Sequence, residues 1–155
     1  MKMNPGPTRI YEHRFAFPPE AEDENRHVNN IEYVRMMQES AIAHTRRNGW
    51  TPEELHTRGW TWVARSHFIE YLLPCLAGEE VVIETWVANF RKIRSLRKYR
   101  FVRVSDGAVL ARAETDWVFL DFHKSRPTPI PPDVLAAYVI VPDEKSPLAA
   151  RSGRG

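Results

Sequence analysis

The spacing of apolar positions predicts one long amphipathic helix in the first third of the chain. Its stripe recurs every three to four residues and comprises Val34, Met37, Ala41 and Thr45. Asn29 is suited to cap the N-terminus, with Glu32 as a capping-box partner, and Gly49 is suited to end the helix. Thr51 and Pro52 then predict the start of a second, short helix that ends by Gly59.

From Trp60 onward the pattern changes to the two-residue period of β-strands. The clearest case is 80–90, where Val81, Ile83, Thr85 and Val87 share one face. The predicted strands are 9–17, 60–71, 80–90, 96–104 and 109–122. Short turns between the later strands indicate antiparallel pairing, and 132–138 predicts a terminal helical turn. The order strand, helix, four strands predicts an α+β fold whose sheet wraps around the long helix.

Composition bounds the organisation of the chain. Its 155 residues, 43% of them hydrophobic, predict one domain over 1–140, and the small polar residues of 141–155 predict a disordered tail. A net charge of +2 gives no reason to expect nucleic acid or membrane as partner. Cys75 is the single cysteine, residues 1–14 contain no apolar stretch of signal-peptide length, and no run is long enough to span a membrane. We therefore expect a cytoplasmic protein.

One helix cannot cover both faces of a five-stranded sheet. Trp86, Tyr99, Phe101 and Trp117 supply more aromatic surface than one helix is expected to cover. The sequence therefore predicts a homodimer or a homotetramer.

The densest polar segment, Asp23 to Tyr33, lies directly before the long helix. Its candidate functional side chains are Asp23, Asn25, His27, Asn29 and Asn30. A helix N-terminus offers unpaired N–H groups to a developing negative charge, and an acid beside such a cradle indicates acyl-transfer chemistry. The alternatives are structural: a solvated loop acid, a plain N-cap at Asn29 and a hydrogen-bonded loop histidine.

These residues resemble a known family. The string His27-Val28-Asn29-Asn30, preceded by Asp23 and followed by Tyr33, resembles the hotdog-fold thioesterases of the 4-hydroxybenzoyl-CoA thioesterase-like group. Later landmarks agree over roughly 9–138: Tyr71-Leu72-Leu73-Pro74, Gly78-Glu79-Glu80, Ser95, Arg126-Pro127 and Ile130-Pro131. The resemblance implies a five-stranded antiparallel sheet around a long helix, with active sites at a dimer interface.

The resemblance also assigns roles to the polar segment. It places the family's catalytic acid on Asp23, which would attack the thioester directly or act as general base on water. Backbone N–H groups near Asn29 and Asn30 would hold the oxyanion, while Asn25 and His27 would orient water or polarise the carbonyl. The Asp-x-Asn-x-His triplet is also similar to plant acyl-carrier-protein thioesterases. Two positions depart from the family pattern: Ala21 replaces a frequent acid and Arg26 replaces a frequent glycine.

Six basic residues lie within 91–100. In a hotdog thioesterase this turn would receive the phosphates of coenzyme A, with Arg91, Arg94, Ser95 and Lys98 as candidates and with Lys124 and Arg126 in support. The alternative is a solvated hairpin, or basic residues that pair with acids on a neighbouring strand.

The leading hypothesis is hydrolysis of an acyl-CoA or acyl-carrier-protein thioester, with coenzyme A as part of the substrate and no separate cofactor or metal. The histidines show no metal-ligand spacing. Two alternatives stay open: a non-catalytic acyl-CoA-binding hotdog protein and a hotdog dehydratase. The acyl group, the choice between CoA and carrier protein, and the choice between direct attack and general-base catalysis also stay open.

Overall fold

The computed structural model describes residues 9–142. Its helices are α1 (Asn30–Arg47), α2 (Pro52–Thr57) and α3 (Pro132–Leu135), and a single 3-10 turn covers Pro19–Ala21. Its strands are β1 (Tyr11–Ala16), β2 (Trp60–Tyr71), β3 (Glu80–Phe90), β4 (Arg94–Arg103), β5 (Val109–Asp121) and the two-residue β6 (Arg126–Pro127). The predicted tail lies outside the described residues from 143 onward, whereas Val141 still donates a backbone hydrogen bond to Val87 (2.9 Å).

The strands form one antiparallel sheet in the order β1-β3-β4-β5-β2, and β6 pairs with the end of β5. The sheet curls around α1, whose residues Tyr33 and Met37 are 2% and 0% exposed. Together with Phe17 and Phe101 they form the main core. This arrangement confirms the predicted α+β fold.

Four elements differ from the prediction by two residues or more at an end, or were not predicted. Strand β1 is shorter at both ends, and β4 begins at Arg94 because its first residues pair with Val118 and Trp117 of β5. Strand β6 lies inside the proline-rich stretch, and α3 ends at Leu135 rather than at 138. All four differences depend on pairing or packing with distant segments, which local periodicity does not report.

The caps of α1 are as predicted, but the capping box does not form. The side chain of Asn29 accepts a hydrogen bond from the backbone N–H of Ile31 (3.0 Å). The backbone N–H of Asn29 donates to Ala21 (2.7 Å), so Glu32 is left to pair with Arg35 (3.1 Å).

Two of the four aromatic side chains from which the sequence predicts an oligomer are already covered within one chain. Tyr99 and Phe101 are 2% and 0% exposed within one chain, because the curled sheet turns both towards α1. Trp86 lies on the convex face, while Trp117 is half-buried on the concave face.

Strand β2 provides a different reason to expect association. It is the last strand in the sheet order, and its outer edge pairs with no strand in residues 9–142. Exposed apolar side chains flank this edge: Val63 is 42% exposed on β2, and Ile31 and Ile42 of α1 are 68% and 41% exposed. Within the same described range, no helix is long and apolar enough to cross a membrane.

Candidate active site

A tight turn from Asp23 to His27 forms the candidate catalytic loop. The backbone N–H of Asp23 donates to the carbonyl of His27 (2.7 Å), and Oδ1 of Asp23 accepts from the N–H groups of Asn25 (2.8 Å) and His27 (3.2 Å). Arg26 closes the turn with a φ of 62°, in the left-handed region. Arg26 thus adopts a conformation that favours glycine, at the position where the resemblance leads us to expect one.

The loop is anchored on both sides. Val28 is 4% exposed and donates its N–H to the carbonyl of Cys75 (2.8 Å). The carboxylate of Glu22 accepts from the N–H of Ala77 (3.2 Å). These contacts fix the catalytic loop against the segment that leads into β3.

The N-terminus of α1 follows this loop directly. The N–H of Asn30 has no acceptor among the residues that the structure describes, whereas its carbonyl accepts from the hydroxyl of Tyr71 (3.2 Å). The five predicted residues thus lie in one turn and in the helix start that follows it, where the N–H of Asn30 is available. Asn29 is half-buried, and Asp23, Asn25, His27 and Asn30 are exposed.

A cavity of about 330 Å³ lies elsewhere, between the second half of α1, α2 and the concave face of the sheet. Its lining is largely apolar, as in many small-molecule sites. The lining includes Ala41, Leu55, Trp62, Val87, Phe90 and Trp117, and among its polar members are Thr45, Ser95 and Arg97.

The candidate catalytic loop lies at one end of the sheet. The basic turn, residues 91–93 between β3 and β4, lies at the opposite end. Cys75 precedes the first residue of β3, while Arg91 follows its last residue. An 11-residue strand spans about 33 Å at roughly 3.3 Å per residue. One chain therefore does not bring the predicted catalytic and CoA-binding residues together.

Strand alternation also divides the predicted CoA-binding residues between two faces. Arg94 and Lys98 lie on the convex face, where Arg94 forms an ion pair with Asp116 of β5 and Lys98 is 8% exposed. Ser95 lies on the concave face, lines the cavity and donates its hydroxyl to the carbonyl of Asn89 (3.2 Å).

Arg91 and Arg126 are exposed near the end of the sheet where the cavity lies. The N–H of Arg91 donates to the carbonyl of Arg94 (2.7 Å) and closes the turn. In β6, Arg126 pairs with Asp121 of β5 through the strand register.

Sequence reasoning did not single out Arg97, which lies on β4 and lines the cavity. It is 5% exposed, and its Nη1 donates to Nδ1 of His44 (2.9 Å) and to Oγ1 of Thr85 (3.1 Å). The strand period could have identified it. Arg97 lies two and four residues before the aromatics Tyr99 and Phe101, so all three side chains are on the same face of the strand.

The described part of the chain contains no group of three or more His, Cys, Asp or Glu side chains arranged to hold a metal ion.

Comparisons with known proteins agree with this architecture. A 1,4-dihydroxy-2-naphthoyl-CoA thioesterase from Synechocystis superimposes with a TM-score of 0.77 at 15% identity, covering 83% of this chain and 94% of that one. A hypothetical protein from Staphylococcus aureus, solved in complex with CoA, gives 0.78 at 14% identity, with 84% and 82% covered. A 12:0-ACP thioesterase from Umbellularia californica gives 0.75 at 19% identity, with 88% and 54% covered.

No curated protein matches the chain by sequence. The profile of the thioesterase-like superfamily, in contrast, matches residues 17–138, which include the catalytic loop, α1 and every strand from β2 to β6. The chain belongs to the thioesterase-like superfamily and has its hotdog fold.

Proposed function

We propose that the protein hydrolyses acyl thioesters of coenzyme A or of acyl-carrier protein, with Asp23 as nucleophile or general base. The observation that carries this proposal is the position of the Asp23 carboxylate. Two backbone N–H groups hold Oδ1, while Oδ2 has no hydrogen bond within residues 9–142. The free oxygen therefore belongs to a fixed carboxylate, in the turn that directly precedes α1.

The chemistry follows from these groups. Oδ2 of Asp23 attacks the thioester carbonyl carbon, or removes a proton from a water that does so. The carbonyl oxygen becomes an oxyanion, which the N–H of Asn30 and the positive end of α1 stabilise. The C–S bond then breaks and the thiolate leaves. On the general-base route the thiolate takes up the proton that Asp23 removed from the water, and the free acid is already formed. On the direct route the thiolate takes a proton from solvent, and a water then hydrolyses the acyl–Asp23 anhydride to the free acid and restores the carboxylate. Asn25 and His27 are placed to orient the water, because their exposed side chains have no hydrogen-bond partner in the described range.

A second copy of the chain supplies the missing acyl pocket. The catalytic loop lies at the Tyr71 end of β2, because Tyr71 contacts Asn30, whereas the cavity lies at the Trp62 end. Two open β2 edges that pair antiparallel about a two-fold axis place the Tyr71 end of one strand beside the Trp62 end of the other. The Asp23 loop of each chain would then face the cavity and basic turn of its partner.

This arrangement assigns the CoA phosphates to the basic turn of the partner. Arg91 and Arg126 are the exposed candidates and suit phosphate oxygens. Arg94 would exchange Asp116 for a phosphate, and Ser95 faces the cavity rather than the turn surface. We assign Lys98 a lesser part, because it lies buried on the convex face.

The test is thiol release from a panel of acyl- and aryl-CoA esters by wild type and Asp23→Asn. Asparagine keeps an Oδ1 acceptor for both backbone N–H groups but loses the negative charge. We expect kcat to fall by about 100-fold or more with an unchanged melting temperature. The matched control is Glu24→Gln, a neighbouring exposed acid, which should retain full turnover.

Other results would select the alternatives. Tight binding of acyl-CoA without turnover would indicate a binding protein, and formation of an enoyl product without thiol release would indicate a dehydratase. Equal turnover by wild type and Asp23→Asn would remove Asp23 from the mechanism.

A further inference from the structure

The buried guanidinium of Arg97 has N–H donors that form no hydrogen bond within the described residues. Arginine carries five N–H donors, and both hydrogens on Nη1 are used by His44 and Thr85. The remaining three, on Nε and Nη2, form no hydrogen bond within the described residues. Nε and Nη2 lie on one edge of the planar group. From that edge the guanidinium can donate two parallel hydrogen bonds to a carboxylate.

The contacts of Arg97 do not neutralise its charge. His44 accepts through Nδ1 and is therefore neutral, Thr85 is uncharged, and the ring of Tyr138 lies 6.0 Å from the guanidinium carbon. No carboxylate in residues 9–142 pairs with Arg97. A charge that is 95% buried is costly without an anionic partner, so an anion at this position would be stabilised strongly.

A second buried donor lines the same cavity. The indole N–H of Trp117 is buried and has no hydrogen-bond partner in the described structure. The hydroxyl of Tyr99 lies nearby, but the two groups do not have hydrogen-bond geometry. Arg97 and Trp117, which both line the cavity, thus each have an N–H donor without a hydrogen-bond partner in the described residues.

The cavity runs from an apolar mouth to this polar floor. Ile42 at the mouth is 41% exposed, whereas Arg97 and Ser95 are 5% and 4% exposed. An acyl chain that enters at the mouth would pass apolar walls and reach Arg97 with its distal end. A chain that ends in a methyl group would leave the guanidinium desolvated and unpaired.

We propose that Arg97 binds an acidic group at the distal end of the acyl chain, so that the preferred substrate is a thioester of a dicarboxylic acid. This inference rests on the proposed thioesterase function and names its substrate class. Arg97 is then a specificity-determining residue on the cavity floor, and Trp117 adds a neutral donor beside it.

The test compares esters of equal chain length: adipoyl-CoA against hexanoyl-CoA, and pimeloyl-CoA against heptanoyl-CoA, with 6-hydroxyhexanoyl-CoA as a neutral polar ester. The native protein should prefer the acid-ended ester by at least about tenfold in kcat/KM. Arg97→Met should reduce that ratio to about one. The matched control is Arg100→Met on the same strand, because Arg100 lies on the opposite face and pairs with Glu84 (2.6 Å). That control should leave the preference intact.

Trp117→Phe is a milder variant that removes only the indole N–H and should lower the preference in part, even if Arg97→Met does not fold. Equal kcat/KM for acid-ended and methyl-ended esters would overturn the inference. A folded Arg97→Met protein whose kcat/KM falls equally on all esters would also overturn it. Equal kcat/KM for the 6-hydroxyhexanoyl and adipoyl esters would do the same.

A binding measurement separates this inference from the proposed function. By calorimetry, Asp23→Asn should bind adipoyl-CoA more tightly than hexanoyl-CoA, and the added Arg97→Met substitution should abolish the difference. A binding preference without turnover in the native protein would support the acid-binding cavity and refute the thioesterase. Turnover without a preference for acid-ended esters would support the thioesterase and refute the acid-binding cavity.

Discussion

At the scale of single residues, strand alternation decides what each basic side chain does. The sequence contains a cluster of six positive charges over 91–100. In the structure, Arg94 forms an ion pair with Asp116 on the convex face, whereas Arg97 lines the cavity on the concave face. Strand β4 is central and is largely buried on both faces, so its hydrophobic pattern does not reveal which face meets α1. The cluster could be predicted, whereas its division between the two faces could not.

Arg26 shows the same limit in the catalytic loop. A non-glycine residue in the left-handed region costs about 1–2 kcal/mol. The hydrogen bonds from Arg26 to Asp23 and from Asp23 to His27 hold it there. An arginine at the position where the resemblance implies glycine is therefore compatible with a tight turn, and only the backbone geometry reveals this.

Cys75 should be an unreactive thiol whose burial affects stability at high pH. Burial, together with the nearby negative charge of Glu79, raises the pKa of Cys75 to about 11 from an ordinary value of 9.0. The folded state keeps the proton that the unfolded chain loses above pH 9, so stability is complete below pH 9 and falls as pH rises towards 11. Urea unfolding across pH 8–11 should show this fall, and Cys75→Ala should make it shallower.

Reaction with a disulfide reagent at pH 8 gives an independent check on Cys75. The native protein should react far more slowly than the unfolded protein, because the thiolate is the reactive form. Rapid labelling of the native protein would contradict the buried, protonated thiol.

At the scale of elements, local signals were sufficient where the element depends on its own residues. The cap at Asn29, the stop at Gly49 and the alternation in β3 are local, and the bounds of α1, β2 and β3 follow the predictions closely. Strand β6 and the start of β4 depend on hydrogen bonds to β5. Such pairing is set by residues far away in sequence, so periodicity does not place these elements.

The cap of α1 should matter for both stability and activity. Asn29→Ala removes the bond to the N–H of Ile31 and should cost about 1 kcal/mol. For a chain of this size, that loss lowers the melting temperature by roughly 2–4 °C. Turnover should also fall, because the cap fixes the first turn of α1, whose Asn30 N–H is the proposed oxyanion donor.

The matched control for this prediction is Thr51→Ala. It removes the equivalent cap of α2, in which Oγ1 of Thr51 accepts a hydrogen bond from the backbone N–H of Glu54 (3.0 Å). Calorimetry should give a similar loss of stability for both variants, while thiol release should fall only in Asn29→Ala. Equal activities in the two variants would argue against a role for the α1 N-terminus in the reaction.

At the scale of the whole molecule, the single chain separates the candidate catalytic loop from the cavity. The Asp23 loop and the 330 Å³ cavity lie towards opposite ends of β2, and the open edge of that strand offers the simplest way to join them. The sequence predicts association from aromatic surface, whereas the structure leaves the outer edge of β2 unpaired within residues 9–142 and leaves Ile31, Ile42 and Val63 exposed. Which strand forms the sheet edge is a property of the topology, and the order of elements along the chain does not give it.

A charge on this edge should prevent association. Val63→Lys places an ammonium group where the second β2 strand would pair, and 42% exposure lets the single chain accommodate it. Light scattering should give the mass of one chain instead of two, and activity should be lost with the dimer. Leu135→Lys, an exposed apolar position on α3, is the control and should leave the mass unchanged.

Mixing two inactive variants tests most directly whether each site combines the Asp23 loop of one chain with the cavity of the other. One variant is Asp23→Asn; the other is Thr45→Phe, which fills the cavity from α1. In equal mixtures that have exchanged subunits, half of the molecules are mixed dimers, and each has one intact site, so about a quarter of the native thiol release should return. If each chain instead used its own Asp23 with its own cavity, no mixed dimer would contain an intact site. The mixture would then remain inactive, and the shared site would be contradicted.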